Sequence, residues 1–141
     1  MMRATILAAV LAATALPAWA SLALPGDVDG DARLSFDEYK AGRRALLLSA
    51  DRDGDGRISP AEWLAGETTI HRKLATAGFP DRDIDLGTGG FARMDANHNG
   101  YIDSEELDAY VRKRFDSIDA NHDGFLARKE FEAGLKAGGR Y

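Results

Sequence analysis

The sequence predicts an all-α domain of short helices joined by acidic loops. Three observations predict it. First, carboxylates recur at alternate positions in four windows: 27–38 (DVDGDARLSFDE), 51–62 (DRDGDGRISPAE), 95–106 (DANHNGYIDSEE) and 119–130 (DANHDGFLARKE). These windows hold 16 of the 23 acidic residues, so the charge is gathered at loops rather than spread over a solvated surface. Second, apolar residues flank the windows at helical spacing. Phe91 with Met94 and Phe115 with Ile118 precede loops; Tyr39, Trp63, Leu107 and Phe131 follow them. We assign all of these to the core. Third, helix-start signals close the windows. Ser35-x-x-Glu38 and Ser59-x-x-Glu62 are capping boxes, Pro60 stands at a first helical position, and Asp103 can cap the third following helix.

The first twenty residues read differently. Arg3, an apolar block over 4–16 and the close Ala18-Trp19-Ala20 form a secretory signal peptide, expected to be cleaved after Ala20. An apolar run of 13 is too short to span a bilayer. The expected mature chain, 21–141, is periplasmic or secreted and free of the membrane. Its acidity (net charge −5 for the whole chain) argues against nucleic acid or anionic lipid as a partner. With no cysteine, the exported domain needs a good core or another staple.

Clustered carboxylates repel: two charges ~4 Å apart cost about 4 kcal/mol at an effective dielectric of 20. A bound cation offsets that cost. A hard cation takes about six to eight oxygens, which short side chains supply from a tight turn. Glycine stands sixth in three of the windows, where it permits the positive φ of a tight turn, and glutamate stands twelfth in all four.

The four windows resemble the loops of the EF-hand calcium-binding family, and the resemblance covers most of the expected mature chain. It implies ligands at loop positions 1, 3, 5 and 12 and a backbone carbonyl at 7. Carried over residue by residue, the first loop supplies Asp27, Asp29, Asp31, Arg33 and Glu38. The second supplies Asp51, Asp53, Asp55, Arg57 and Glu62. The third supplies Asp95, Asn97, Asn99, Tyr101 and Glu106, and the fourth Asp119, Asn121, Asp123, Phe125 and Glu130. A further Asp-x-Asp-x-Asp run, Asp81 to Asp85, has Leu86 in the glycine slot and Ala92 in the glutamate slot, so it is not a loop. We place an internal linker over 78–90.

Spacing predicts how the loops meet. They begin at 27, 51, 95 and 119, leaving twelve residues between the first two and between the last two. Twelve residues make one helix, not two, so the exit helix of one loop is the entering helix of the next. A helix of about 14 residues holds its two loops ~20 Å apart, too far to pair. Loop 51–62 should therefore pair with loop 95–106, after an exit helix over 60–77 and an entering helix near 88–94. The two shared helices should then lie antiparallel and bring loop 27–38 to loop 119–130. The alternative is a break at Gly42 that lets sequence neighbours pair. The apolar eighth positions, Leu34, Ile58, Ile102 and Leu126, should make the contacts as short β-bridges. We expect loop 51–62 to bind most strongly. Loop 27–38 has Ala32 where glycine belongs and no entering helix, and should bind most weakly.

The functional expectation is calcium binding by an exported protein, as a buffer or a calcium-stabilised module. A calcium sensor with a dedicated, unidentified protein partner is one alternative. Sensors expose methionine-rich grooves, and the expected mature chain has only Met94. A lanthanide binder is the other. The signal peptide, four loops and 24-residue spacing resemble the lanmodulin family, but that family's proline at loop position 2 is absent. Val28, Arg52, Ala96 and Ala120 stand there, and only Asp103 gives a carboxylate at position 9. No catalytic constellation is present. His98 and His122 are expected to be exposed loop residues, and His71 stands alone.

Overall fold

Each shared helix begins where its loop glutamate turns back. Ser35 caps the first, its Oγ accepting from the Glu38 N–H while the Glu38 carboxylate accepts from the Ser35 N–H. Helix α1, Phe36–Leu47, follows and tightens into a 3-10 turn over Leu48–Ala50. Asp103 and Glu106 make the same reciprocal cap for the other shared helix, Ser104–Ile118. Each cap satisfies two N–H groups that a helix start would otherwise leave orphaned.

The computed structural model describes residues 24–76 and 88–137. The expected signal peptide lies outside the described residues, as does the expected linker up to residue 87. In chain order the elements are β1 (Arg33–Ser35), α1, α2 (Pro60–Thr76), α3 (Thr88–Met94), α4 (Ser104–Ile118), β2 (Phe125–Ala127) and α5 (Arg128–Ala137). The last three linker residues, 88–90, belong to α3 instead. Glycines 89 and 90 are poor helix formers and seven residues are too few for a stable isolated helix. Tertiary packing holds the turn: the Phe91 ring meets Trp63 of α2 edge-on at 6.3 Å, and Met94 is buried.

The loops pair as the spacing requires. Strands β1 and β2 are antiparallel, with Arg33 opposite Ala127, Leu34 opposite Leu126 and Ser35 opposite Phe125. At the other end Ile58 and Ile102 form an isolated antiparallel bridge. Gly42 does not break α1. Helices α1 and α4 run antiparallel between the two ends. Early Phe36 and late Phe115 stack edge-on at 5.4 Å, while late Arg44 reaches early Ser104 Oγ at 2.6 Å and Asp108 Oδ1 at 2.5 Å.

Among the described residues one core lies between the two loop pairs. Leu34, Ile58, Ile102 and Leu126 are all at or below 1% exposure, so the loop bridges are themselves core. Tyr39, Leu47, Trp63, Ile70, Met94, Leu107, Val111, Phe115, Ile118 and Phe131 fill the space between them. Two glycines allow the helices to close in. A Cβ on Gly66 of α2 would stand 2.6 Å from Ala50 Cβ, and one on Gly134 of α5 would stand 2.7 Å from Ile118. Among the described residues no helix is long and apolar enough to cross a membrane.

Candidate metal centres

The acidic loops are held in shape by their own N–H groups. In loop 51–62, Asp51 accepts from Gly54 N at 2.7 Å through Oδ1 and from Gly56 N at 3.0 Å through Oδ2. Asp53 accepts from Asp55 N, and Asp55 from Arg57 N. Glu62 reaches across the loop: Oε1 accepts from Arg52 N, and Oε2 from Ser59 N and Ser59 Oγ. Loop 27–38 repeats this pattern bond for bond. Asp27 accepts from Gly30 N and Ala32 N, Asp29 from Asp31 N, and Asp31 from Arg33 N. Its Glu38 accepts from Val28 N, Ser35 N and Ser35 Oγ.

These bonds turn each loop around a common centre. Carboxylate oxygens of Asp27, Asp29 and Glu38 lie within 4.8 Å of one another. So do those of Asp51, Asp53 and Glu62, and those of Asp119, Asp123 and Glu130. Loop 95–106 closes with fewer charges. Asp95 accepts from Asn99 N and Gly100 N, Asn99 Oδ1 from Tyr101 N, and Glu106 from Asn97 N and Asp103 N. Asp95 and Glu106 are buried, unlike the half-exposed Asp51 and Glu62. In loop 119–130 the Glu130 carboxylate accepts from Ala120, Asn121 and Ala127 N–H groups.

Two glutamates are held strongly acidic. Glu38 is lowered from 4.5 to about 2, chiefly by the Ser35 backbone N–H, with further help from Val28, the Ser35 hydroxyl and Asp29 against the opposing effect of burial. Glu62 is lowered to about 2 as well, chiefly by the Ser59 backbone N–H and then by Arg52 and the Ser59 hydroxyl. A carboxylate that accepts several N–H bonds keeps its charge and its place. Both groups are thereby held ready for a cation.

Position 6 takes the positive φ expected of it, and position 4, which the sequence pattern did not single out, takes it as well. At position 4 the values are 77° for Gly30, 75° for Gly54, 58° for His98 and 57° for His122. At position 6 they are 66° for Ala32 and 81°, 86° and 84° for Gly56, Gly100 and Gly124. Ala32 thus takes the left-handed turn without a glycine, at a cost of about 1–2 kcal/mol. His98 and His122 are exposed, as expected.

A second feature was invisible in the loop motif. The seventh positions had a role only through their carbonyls. Their side chains meet across the pairs: Arg33 stacks on Phe125 at 4.4 Å and Arg57 on Tyr101 at 4.7 Å.

The donor set is all oxygen, from carboxylates, amides and main chain, with no thiol in the chain. Hard donors converging from one turn fit calcium rather than zinc or copper. When bound, the ion supplies positive charge that offsets the clustered carboxylates. A family model described as EF hand matches residues 44–65, 89–111 and 111–136, spanning the second, third and fourth loops. Loop 27–38 lies outside those matches, but it pairs with loop 119–130 and repeats the internal hydrogen bonds of loop 51–62. No curated protein matches the chain. The three repeated matches, the helical architecture and the convergent acidic loops agree: the chain belongs to the EF-hand family of calcium-binding proteins.

Proposed function

We propose that the protein is exported and binds calcium at four loops as a buffer or a calcium-stabilised module. The observation that carries the binding role is the repetition of one N–H-to-carboxylate pattern in loops 27–38 and 51–62, each closing on three convergent carboxylates. The signal-like segment over 1–20 supports export. Buried eighth-position residues support the module role, because ordering a loop also completes the core. Ions that bind only the folded chain stabilise it by mass action.

A groove-forming sensor is less well supported. Met94 is 2% exposed, and the exposed large apolar residues among those described, Val28, Leu64 and Tyr101, are scattered. Binding at loop carboxylates, rather than catalysis, accounts for the chemistry the chain gathers.

The test uses Trp63, which follows Glu62 directly. After chelation of all metal from the expected mature chain, 21–141, where Trp63 is the one tryptophan, calcium is titrated while Trp63 emission and helical circular dichroism are followed. A saturable change in both, with helix content rising, is the expected result. No response to millimolar calcium, with a response to a trivalent lanthanide at far lower concentration, would replace calcium with the lanthanide reading. A calcium-dependent gain in binding of an apolar dye would replace the buffer with the sensor.

A further inference from the structure

The same side-chain arrangement is built twice, at opposite ends of the molecule. At position 7 of loop 27–38, the Arg33 guanidinium lies 4.4 Å from the Phe125 ring centroid and 3.2 Å from Asp31 Oδ2. At position 7 of loop 51–62, Arg57 lies 4.7 Å from Tyr101 and 3.2 Å from Asp55 Oδ2. In each case the stacked-on aromatic is the seventh residue of the partner loop. One guanidinium therefore joins a fifth-position carboxylate of its own loop to a ring of the other.

The fifth position differs between the two arginine-bearing loops and loop 119–130. In loop 119–130, where Phe125 holds position 7, Asp123 belongs to the convergent oxygen group with Asp119 and Glu130. In the two arginine-bearing loops the groups are Asp27, Asp29, Glu38 and Asp51, Asp53, Glu62, without Asp31 or Asp55. One oxygen of Asp31 and of Asp55 takes the main-chain N–H of the arginine, and the other takes its guanidinium. The charge of that carboxylate is shared with a cation that never deprotonates in proteins. The ring beneath the guanidinium restricts where the positive charge can go.

We propose that Arg33 and Arg57 set the strength and charge selectivity of loops 27–38 and 51–62. Each guanidinium offsets its loop's fifth-position carboxylate and repels the incoming ion, a trivalent ion more than a divalent one. The proposal rests on the calcium reading and deepens it: four carboxylates would otherwise favour a trivalent ion most. Because the Arg33 and Arg57 side chains are 48% and 52% exposed, solvent and salt screen the effect, and it tunes the sites rather than closing them.

The experiment compares the purified protein with Arg57→Met, Arg57→Gln and Arg57→Lys. Calcium and terbium are titrated separately at low and high salt, with Trp63 emission reporting loop 51–62. Arg57→Met keeps an unbranched stem over Tyr101 and removes the charge. It should tighten calcium about fivefold and terbium about tenfold, because repulsion scales with the charge of the ion, and both gains should shrink in high salt. Arg57→Gln should follow Arg57→Met. Arg57→Lys, which keeps the charge, should stay within about twofold of the parent for both ions. Equal gains for the two ions, or weaker binding of both in Arg57→Met and Arg57→Gln, would overturn the proposal and leave the arginine a strut between loops. A parent protein that ignores calcium but binds terbium would overturn the calcium reading alone. The terbium gain in Arg57→Met would still decide the role of the arginine.

Discussion

Ile58 and Ile102 exchange both main-chain hydrogen bonds, N to O at 2.9 Å in each direction, and both side chains are fully buried. They stand at position 8 of their loops, 44 residues apart in sequence. The bridge makes one structural unit of two binding loops. Ile58→Ala should destabilise the calcium-saturated protein by about 2–5 kcal/mol, the range for truncating a buried isoleucine. It should also weaken calcium binding at loop 95–106, which the substitution does not touch. Urea unfolding, together with a calcium titration read at Tyr101 of that loop, measures both.

Ala32 holds a left-handed turn at φ 66° that its three counterparts give to glycine. Ala32→Gly should relieve that strain, while glycine loses more freedom on folding. The net expectation is a gain of up to about 1 kcal/mol, the difference between those two effects. The urea midpoint should rise, and loop 27–38 should bind calcium more tightly. Gly56→Ala should do the reverse in loop 51–62.

The contact of Gly66 with Ala50 leaves no space for a methyl group. Gly66→Ala should cost about 1–3 kcal/mol by overpacking, despite the better helix propensity of alanine. Ala50→Gly in the same chain should return part of the loss, because the two positions share one contact. Thermal unfolding of the two single variants and the double variant closes the cycle.

Glu38 and Glu62 give a pH dependence of definite sign. Both stand near 4.5 in an unfolded chain and at about 2 in the folded one. Their contribution to stability is present in full above pH 4.5 and is lost as pH falls towards 2. Calcium-free protein should therefore show a falling urea midpoint across that window. Glu62→Gln should flatten the slope, because one of the two depressed carboxyls is gone. Ser59→Ala should flatten it only in part, since the Ser59 backbone N–H and Arg52 N–H remain.

Much of this was legible in the sequence because it is local or rests on chain length. The caps at Ser35 and Asp103 follow from residues three apart, and the position-1 and position-12 carboxylates from one twelve-residue window. Even the loop pairing follows from lengths: twelve residues hold one rigid helix, and a rigid helix keeps its two loops apart. Ala32 was legible as a departure but not in its outcome, because the neighbouring hydrogen bonds hold the turn whatever the side chain.

What the sequence by itself determined was the kind of molecule: four oxygen-rich loops, helices shared in two pairs, and a cation to offset the charge. The tertiary structure alone decided which side chains meet between distant segments. Arg33 on Phe125, Arg57 on Tyr101, Arg44 on Asp108 and Gly66 against Ala50 appear in no repeat or period. Each depends on where a fold made of rigid helices brings two separate surfaces together. Loop motifs encode the oxygens that face the ion; the seventh-position charges and rings of paired loops become neighbours only once each end of the domain has closed.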